Sequence, residues 1–214
     1  MDSSPLIVTI MPSYLGEYPG CATDRENKFI RAVNSFLGNT YKDKYLIISS
    51  DGCDRTKKLW SKYFYDKEEV IFIYNKKSPL FSGKPRQDAI NFVAGAMWNT
   101  LEDIIITYLD TDDMMAHDHL SKIISQFNGY DWVYYNDWIF PDNVMTEREV
   151  ELKEGCVGTS DIAHKLDYRF NWEVKDGYGH DWEMIKNMAY SSLNFAKIGT
   201  CGYHVKHINK WFDN

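Results

Sequence analysis

The chain has 214 residues, enough for one domain with a buried core and too few for two comfortable ones. Its 24 Lys and Arg against 31 Asp and Glu leave a formal net charge of -7, which argues against a nucleic-acid partner, because phosphate backbones are held by clustered basic side chains. No stretch approaches the roughly 18 apolar residues of a membrane span, and Met1-Asp2-Ser3-Ser4-Pro5 lacks the basic and apolar regions of a signal peptide, so the expected compartment is the cytoplasm, with no integral membrane segment.

In chain order, short runs rich in β-branched and aromatic residues predict strands at Leu6–Met11, Tyr45–Ser50, Val70–Tyr74 and Ile104–Leu109. Amphipathic stretches between them predict helices over 25–37, where Phe29, Ile30, Val33 and Phe36 share a face, over 55–65, and over 86–99, where Ile90, Val93, Ala94 and Met97 do. Strand alternating with helix implies an α/β fold with a mostly parallel sheet covered on both sides. The second half is mixed: a helix over 118–127, a strand Trp132–Trp138, an irregular stretch to about 160, a helix over 180–190, and a final strand pair at Phe195–Ile198 and Tyr203–His207. Without repeats or linkers, residues 1–214 read as a single domain. Cys21, Cys53, Cys156 and Cys201 form no C-x-x-C pair, which points to reduced thiols rather than a zinc knuckle or a disulfide framework. The aromatic share of 15% serves large core residues first and a sugar-binding cleft second.

In an open α/β sheet, ligands bind beyond the carboxyl ends of the strands. The residues expected there are Pro12-Ser13-Tyr14, Asp51-Gly52 and Asp110-Thr111-Asp112-Asp113. Turn preference alone would explain Asp51-Gly52. Three carboxylates within four residues repel one another unless a positive charge lies between them. If the segment stays extended, Asp110 and Asp112 point the same way and can face one hard cation, Mn²⁺ or Mg²⁺, which binds readily through substrate phosphates. A diphosphate leaving group fits that arrangement.

This order of motifs resembles an inverting family 2 glycosyltransferase of the GT-A fold, over Val8 to about Asn209. Val8-Thr9-Ile10-Met11-Pro12-Ser13-Tyr14 is similar to the family's opening strand and nucleotide-contacting turn. Ile47-Ile48-Ser49-Ser50-Asp51-Gly52-Cys53-Asp54 resembles the strand whose terminal aspartate contacts the base, with Ser50 where a further Asp is common. Ser82-Gly83-Lys84-Pro85-Arg86-Gln87 stands where the family has a helix beside the donor, so the resemblance implies Lys84 and Arg86 near phosphate. Tyr108-Leu109-Asp110-Thr111-Asp112 matches the D-x-D strand end, which implies metal at Asp110 and Asp112 and donor contact at Thr111.

Gly179-His180-Asp181-Trp182-Glu183 resembles the acidic pair on the acceptor side, with His180 replacing the usual first acid and Asp181 in the place of the general base. A late histidine often completes the metal site in such enzymes, and His207, followed by Asn209, fits better than His204. Gly158-Thr159-Ser160-Asp161 stands where the family builds part of a sugar pocket, although Thr159 or Ser160 could simply cap a helix. Trp182 is a candidate for stacking on a sugar and equally for the core, and His117 and His119 read as the start of a helix.

The resemblance implies a nucleoside diphosphate sugar donor, with uridine as the base, and an acceptor that is a glycan, a lipid-linked sugar or a protein; a lipid acceptor would bring the protein to a membrane surface. The alternatives are a noncatalytic nucleotide-sugar-binding module and a metal-dependent phosphohydrolase. Hydrolases built on an Asp pair carry it after the first strand, with Thr or Val where this chain has Met114. Oligomeric state has no signature in the sequence.

Overall fold

A computed structural model describes residues 4–18, 21, 23–78, 83–96, 104–140, 144–167, 171–172 and 179–205. Its framework is a seven-stranded sheet in the order Phe195–Lys197 (β10), Trp132–Tyr134 (β6), Ile162–Lys165 (β9), Ile104–Tyr108 (β4), Leu6–Ser13 (β1), Lys44–Asp51 (β2) and Val70–Asn75 (β3). Strands β1 (Leu6–Ser13), β2 (Lys44–Asp51), β3 (Val70–Asn75) and β4 (Ile104–Tyr108) are parallel neighbours, joined through α1 (Arg25–Leu37), α2 (Asp54–Tyr63) and α3 (Gly83–Ala96). The expected parallel α/β half is therefore present.

Alternation along β1 explains why the sheet needs cover on both sides. Ile7 and Met11 face a core filled by Phe29, Val33 and Phe36 of α1, together with Leu120 and Ile123 of α4 (His119–Phe127). Val8 and Ile10 face the opposite core, filled by Ile90 and Val93 of α3 and by Met184, Ile185 and Met188 of α5 (His180–Ala189). Thr9 and Thr107, buried on adjacent strands, satisfy each other by a hydroxyl hydrogen bond of 2.7 Å. Truncating Phe36, which is fully buried, to Ala would cost about 3–5 kcal/mol.

The second half departs from the sequence expectation in three places. Trp132–Trp138 is not one strand: β6 (Trp132–Tyr134) joins the large sheet, whereas β7 (Asp137–Ile139) belongs to a second sheet of order β5-β11-β7-β8. The change occurs at Tyr135, whose N–H donates to Asp161 O at 3.0 Å and whose hydroxyl donates to Ile162 O at 3.2 Å. The stretch read as irregular contains β8 (Thr146–Arg148), and just beyond it β9 (Ile162–Lys165) inserts antiparallel between β4 and β6. The two last strands do not pair with each other. β10 (Phe195–Lys197) runs parallel to β6, and β11 (Tyr203–His204) pairs with β5 (Met114–Met115) and β7. Strands of two to four residues carry too few alternations to reveal a period.

The third helix starts at Gly83, three residues before the expected start, with Pro85 in its first turn, where a missing N–H costs nothing. A Cβ at Gly83 would lie 2.7 Å from Trp172 O, so the close approach of that segment demands glycine. The four cysteines are free thiols. Among the described residues, no helix is long and apolar enough to cross a membrane.

Candidate active site

The carboxyl ends of β1, β2 and β4 converge on one rim of the large sheet. β1 continues two residues further than expected, with Pro12 opposite Ser49 and Ser13 opposite Ser50, so Pro12-Ser13 ends a strand rather than forming a turn. Ser13 is buried, its hydroxyl 2.9 Å from Thr56 Oγ1, which leaves half-buried Tyr14 as the accessible member of the trio. Its ring carries the Lys77 ammonium 4.4 Å from its centroid.

Asp51 is buried at the end of β2. Its carboxylate accepts from Ser78 N–H at 2.7 Å and from the Lys77 ammonium, so the segment after β3 straps across it. Gly52 makes that strap possible: its φ is +63°, and a Cβ there would meet Lys77 N at 2.6 Å. Beside it, Cys53 precedes α2. Burial pushes its thiol up, but hydrogen bonds from Thr56, Leu15 and Arg55 outweigh burial and hold it below the ordinary thiol range.

The segment after β4 does not stay extended. Asp113 N–H bonds back to Asp110 O at 3.2 Å with Thr111 and Asp112 in the turn, so strand alternation does not orient Asp110 and Asp112. The turn separates the three carboxylates. Asp113 is buried and accepts from the Tyr203 hydroxyl at 3.0 Å, while the same Tyr203 oxygen accepts from Asp110 N–H at 3.0 Å. Asp110, Thr111 and Asp112 stay half-buried at the rim, and Arg31 of α1 donates to Asp112 O at 2.6 Å. Burial, followed by the charges of Asp113 and Asp110, raises the Tyr203 phenol well above its ordinary range, so Tyr203 remains a neutral donor.

Arg86 joins the two sides of the site. Projecting from the first turn of α3, its guanidinium is 4% exposed. Nη2 donates to Asp110 Oδ1 and to Thr159 Oγ1, both at 2.9 Å, and Nη1 lies 3.0 Å from His180 Nε2. The plane sits over Tyr108 and Trp172, 5.9 and 5.6 Å from their centroids. Lys84, by contrast, is paired with Asp88 one turn along the same helix.

Thr159 belongs to a single 3-10 turn, Thr159–Asp161, held from below. Asp161 Oδ2 accepts from Gly158 N–H at 2.9 Å, and Arg148 spans Asp161 and Asp137, two fully buried carboxylates on different elements. Burial first, and the Asp137 charge second, raise the Asp161 carboxyl well above the usual carboxylate range.

Helix α5 starts after Gly179 at φ 93°, a conformation that turns buried His180 toward Arg86. Asp181, half-buried, follows at the helix N-terminus and accepts from Trp182 N–H at 3.0 Å. A Cβ on Gly158 would lie 3.8 Å from Asp181 Oδ2, so this carboxylate abuts the Gly158–Asp161 turn.

The structure thus gathers Arg86, Asp110, Thr159, His180 and Asp181 into one connected cluster, with Tyr14 and Asp51 along the same rim. Lys84 is turned to Asp88. His207 lies outside the described residues, and His204 packs against Phe140 with ring centroids 5.8 Å apart. Trp182 packs against the core on the α5 side. His119 starts α4 as expected, its Nδ1 2.9 Å from Cys201 O, and burial lowers its pKa to about 4. Among the described residues no three His, Cys, Asp or Glu side chains form a metal-holding group. Asp110 and Asp112 offer hard oxygen ligands at an open rim, which suits a cation that keeps waters and completes its shell with phosphate. Tyr203 and Arg148 have no signal in the sequence, since each acts across more than ten residues through packing.

The sequence profile described as Glycosyl transferase family 2 matches residues 21–189. No characterised protein sequence matches the chain. Among solved structures, S. aureus TarS 1-349 in complex with UDP superposes with a TM-score of 0.71 at 14% identity, covering 94% of this chain and 60% of that one. The same protein in complex with UDP-GlcNAc gives 0.67 at 14% identity, with 94% and 58% covered. GalNAc-T7 with UDP, GalNAc and Mn²⁺ gives 0.67 at 9% identity, with 98% and 45% covered. The chain therefore spans about 60% of the length of TarS 1-349, and the GT-A architecture is common to both.

Proposed function

The chain belongs to glycosyl transferase family 2, and from that premise we propose that it transfers a sugar from a UDP-sugar to an acceptor hydroxyl in a single displacement with inversion. The observation that carries the reading is the Arg86 cluster, which links the D-x-D turn to the start of α5 at the carboxyl rim of a parallel sheet. Solved relatives in fold hold UDP or UDP-GlcNAc, and one holds Mn²⁺ as well, which supports a uridine nucleotide here. The whole chain acts as one GT-A domain.

In this reading Tyr14 offers a ring to the base and Asp51, released from the Lys77–Ser78 strap, accepts from the uracil N3–H, with Pro12 and Ser13 shaping the strand end beneath. Asp110 and Asp112 would hold Mn²⁺ or Mg²⁺ together with His207, with Thr111 beside the donor. When bound, the ion supplies positive charge for the departing diphosphate. Arg86 holds Asp110 in place and adds its own charge to that side, and Lys84 would reach phosphate by leaving Asp88.

Asp181 takes the proton of the acceptor hydroxyl as that oxygen forms its bond to the anomeric carbon. The bond between that carbon and the diphosphate oxygen breaks, and UDP leaves with the electron pair. His180, adjacent to Asp181 and 3.0 Å from Arg86, accepts from the guanidinium as a neutral imidazole. The acceptor is a glycan, a lipid-linked sugar or a protein hydroxyl.

The test is calorimetric titration of UDP and of GDP with and without Mn²⁺. Mn²⁺-dependent binding of UDP that Asp112→Asn abolishes is the expected result. No binding of either nucleotide, or unchanged affinity in Asp112→Asn, would remove the donor site and leave the fold alone.

A further inference from the structure

One corner of the molecule opposes the charge of the rest. Residues 54–77, covering α2 and β3, hold seven of the chain's 24 Lys and Arg but only four of its 31 Asp and Glu, an excess of three positive charges in a chain of net charge -7. Elsewhere exposed or half-exposed lysines are mostly neutralised: Lys84, Lys122, Lys153, Lys165, Lys186 and Lys197 each sit within ion-pair distance of a carboxylate. Lys57, Lys58, Lys62 and Lys76 are exposed and make no ion pair among the described residues.

Aromatic rings stand between these lysines. Tyr63, Tyr65 and Tyr74 are 41%, 70% and 47% exposed. Beneath them half-buried Trp60 stacks on Phe72 at 4.8 Å, with Tyr74 6.4 Å from Phe72 and Tyr63 6.2 Å from buried Phe64, so two of the three rings rest on packed aromatics. The Lys57 ammonium lies 5.5 Å from the Tyr74 ring centroid and that of Lys62 4.7 Å from Tyr63, which keeps cationic heads beside the rings. β3 is the outermost strand of the large sheet, so the patch lies on its edge. Lys77, whose ammonium sits over Tyr14, connects this edge with the candidate donor rim.

We propose that this α2–β3 corner docks on an anionic phospholipid surface, with Lys57, Lys58, Lys62 and Lys76 meeting headgroup phosphates and Tyr63, Tyr65 and Tyr74 settling at the interface. Lysine stems reach outward while their heads stay wet, and amphipathic tyrosine rings partition to the headgroup level. Each lysine near such a surface contributes about a fivefold gain in partitioning, which salt weakens. A membrane fits better than a polynucleotide because the basic arginine here, Arg55, is engaged by Glu26 at 3.0 Å, leaving lysine point charges rather than planar forks. The proposal rests on the charge distribution and stands apart from the transferase reading.

The experiment is flotation of the full chain with vesicles of phosphatidylcholine alone, or of phosphatidylcholine with phosphatidylglycerol, at low and at physiological salt. A parallel binding measurement uses a single-stranded RNA oligonucleotide. The expected result is binding to the anionic vesicles only, weakened by salt, and reduced more than about a hundredfold in Lys57→Glu/Lys58→Glu/Lys62→Glu, with the thermal melt and UDP affinity unchanged. Tyr65→Ser, at the most exposed ring, should weaken vesicle binding without altering its salt dependence. Absence of binding by the wild type, equal binding to neutral vesicles, undiminished binding by the triple variant, or tighter binding to RNA than to vesicles would each overturn the proposal. A wild-type chain that binds UDP but not anionic vesicles would sink this inference and leave the transferase reading standing.

Discussion

Arg86→Lys tests the cluster most directly, because it keeps the charge and removes the fork. The native guanidinium contacts Asp110 and Thr159 at 2.9 Å and His180 at 3.0 Å, and lies over the rings of Tyr108 and Trp172. A lysine ammonium at the end of a shorter chain keeps one of these and leaves two partners unmet. Asp110 is 35% exposed, so its share is discounted for solvent to about 1 kcal/mol, and the buried partner adds about 1–2 kcal/mol. A total of about 2–3 kcal/mol corresponds to a fall in Tm of about 5–10 °C for a chain of this size. If the same contacts hold Asp110 in its metal-binding position, the affinity for UDP with Mn²⁺ falls by about 30- to 150-fold. Differential scanning calorimetry and titration of UDP, each on wild type and variant, read the two effects separately. A Tm within about 1 °C of wild type together with unchanged UDP affinity would refute the claim that Arg86 holds the site together.

The remaining predictions concern the base, the strap and three buried groups that titrate. Asp181→Asn should lower sugar transfer by about 10²–10⁴-fold while UDP affinity changes less than about twofold; nearly unchanged turnover would place the base elsewhere. Gly52→Ala, at φ +63° with Lys77 N only 2.6 Å from the new Cβ, should destabilise by about 2 kcal/mol or more and weaken UDP binding, as thermal melts and titration would register. Burial lowers the pKa of His119 and of His164 from 6.5 to about 4, so the stability from keeping them neutral is complete above pH 6.5 and is lost as pH falls toward 4. Asp161, raised mainly by burial, opposes this: its contribution is complete below its unfolded pKa of 3.8 and fades as pH rises through the folded value. Urea melts near pH 5 should therefore show Asp161→Asn with a steeper rise of stability with pH, by at most about one proton or ~1.4 kcal/mol per pH unit, and an identical slope would contradict the assignment.

Much of the parallel half could be read in advance because its determinants are local. β1, β2 and β3 are runs of six to eight residues, long enough to display β-branched content, and α1 carries its buried Phe29, Val33 and Phe36 at helical spacing. Short strands gave no such signal. β9 of four residues enters the sheet antiparallel only because β4 and β6 offer it edges, and β11 of two residues exists only against β5 and β7. The D-x-D segment shows the limit within a single motif: its composition announced a charged rim, but whether it would be extended or turned depended on Tyr203, ninety residues away.

What the sequence determined by itself was the α/β class, the positions at which strands give way to polar residues, and the types of side chain available there. These follow from periodicity and from the chemistry of neighbouring residues, both of which act over a few positions. Which of those side chains meet was settled by long-range packing. Arg86 lies on α3, Asp110 after β4, Thr159 in a 3-10 turn and His180 on α5, and their contacts arise because sheet order and helix packing set long-range distances that no local pattern encodes. Two lysines divide along the same line: Lys84 reaches Asp88 by local i,i+4 helical spacing, whereas only the strap beyond β3 brings Lys77 to Asp51.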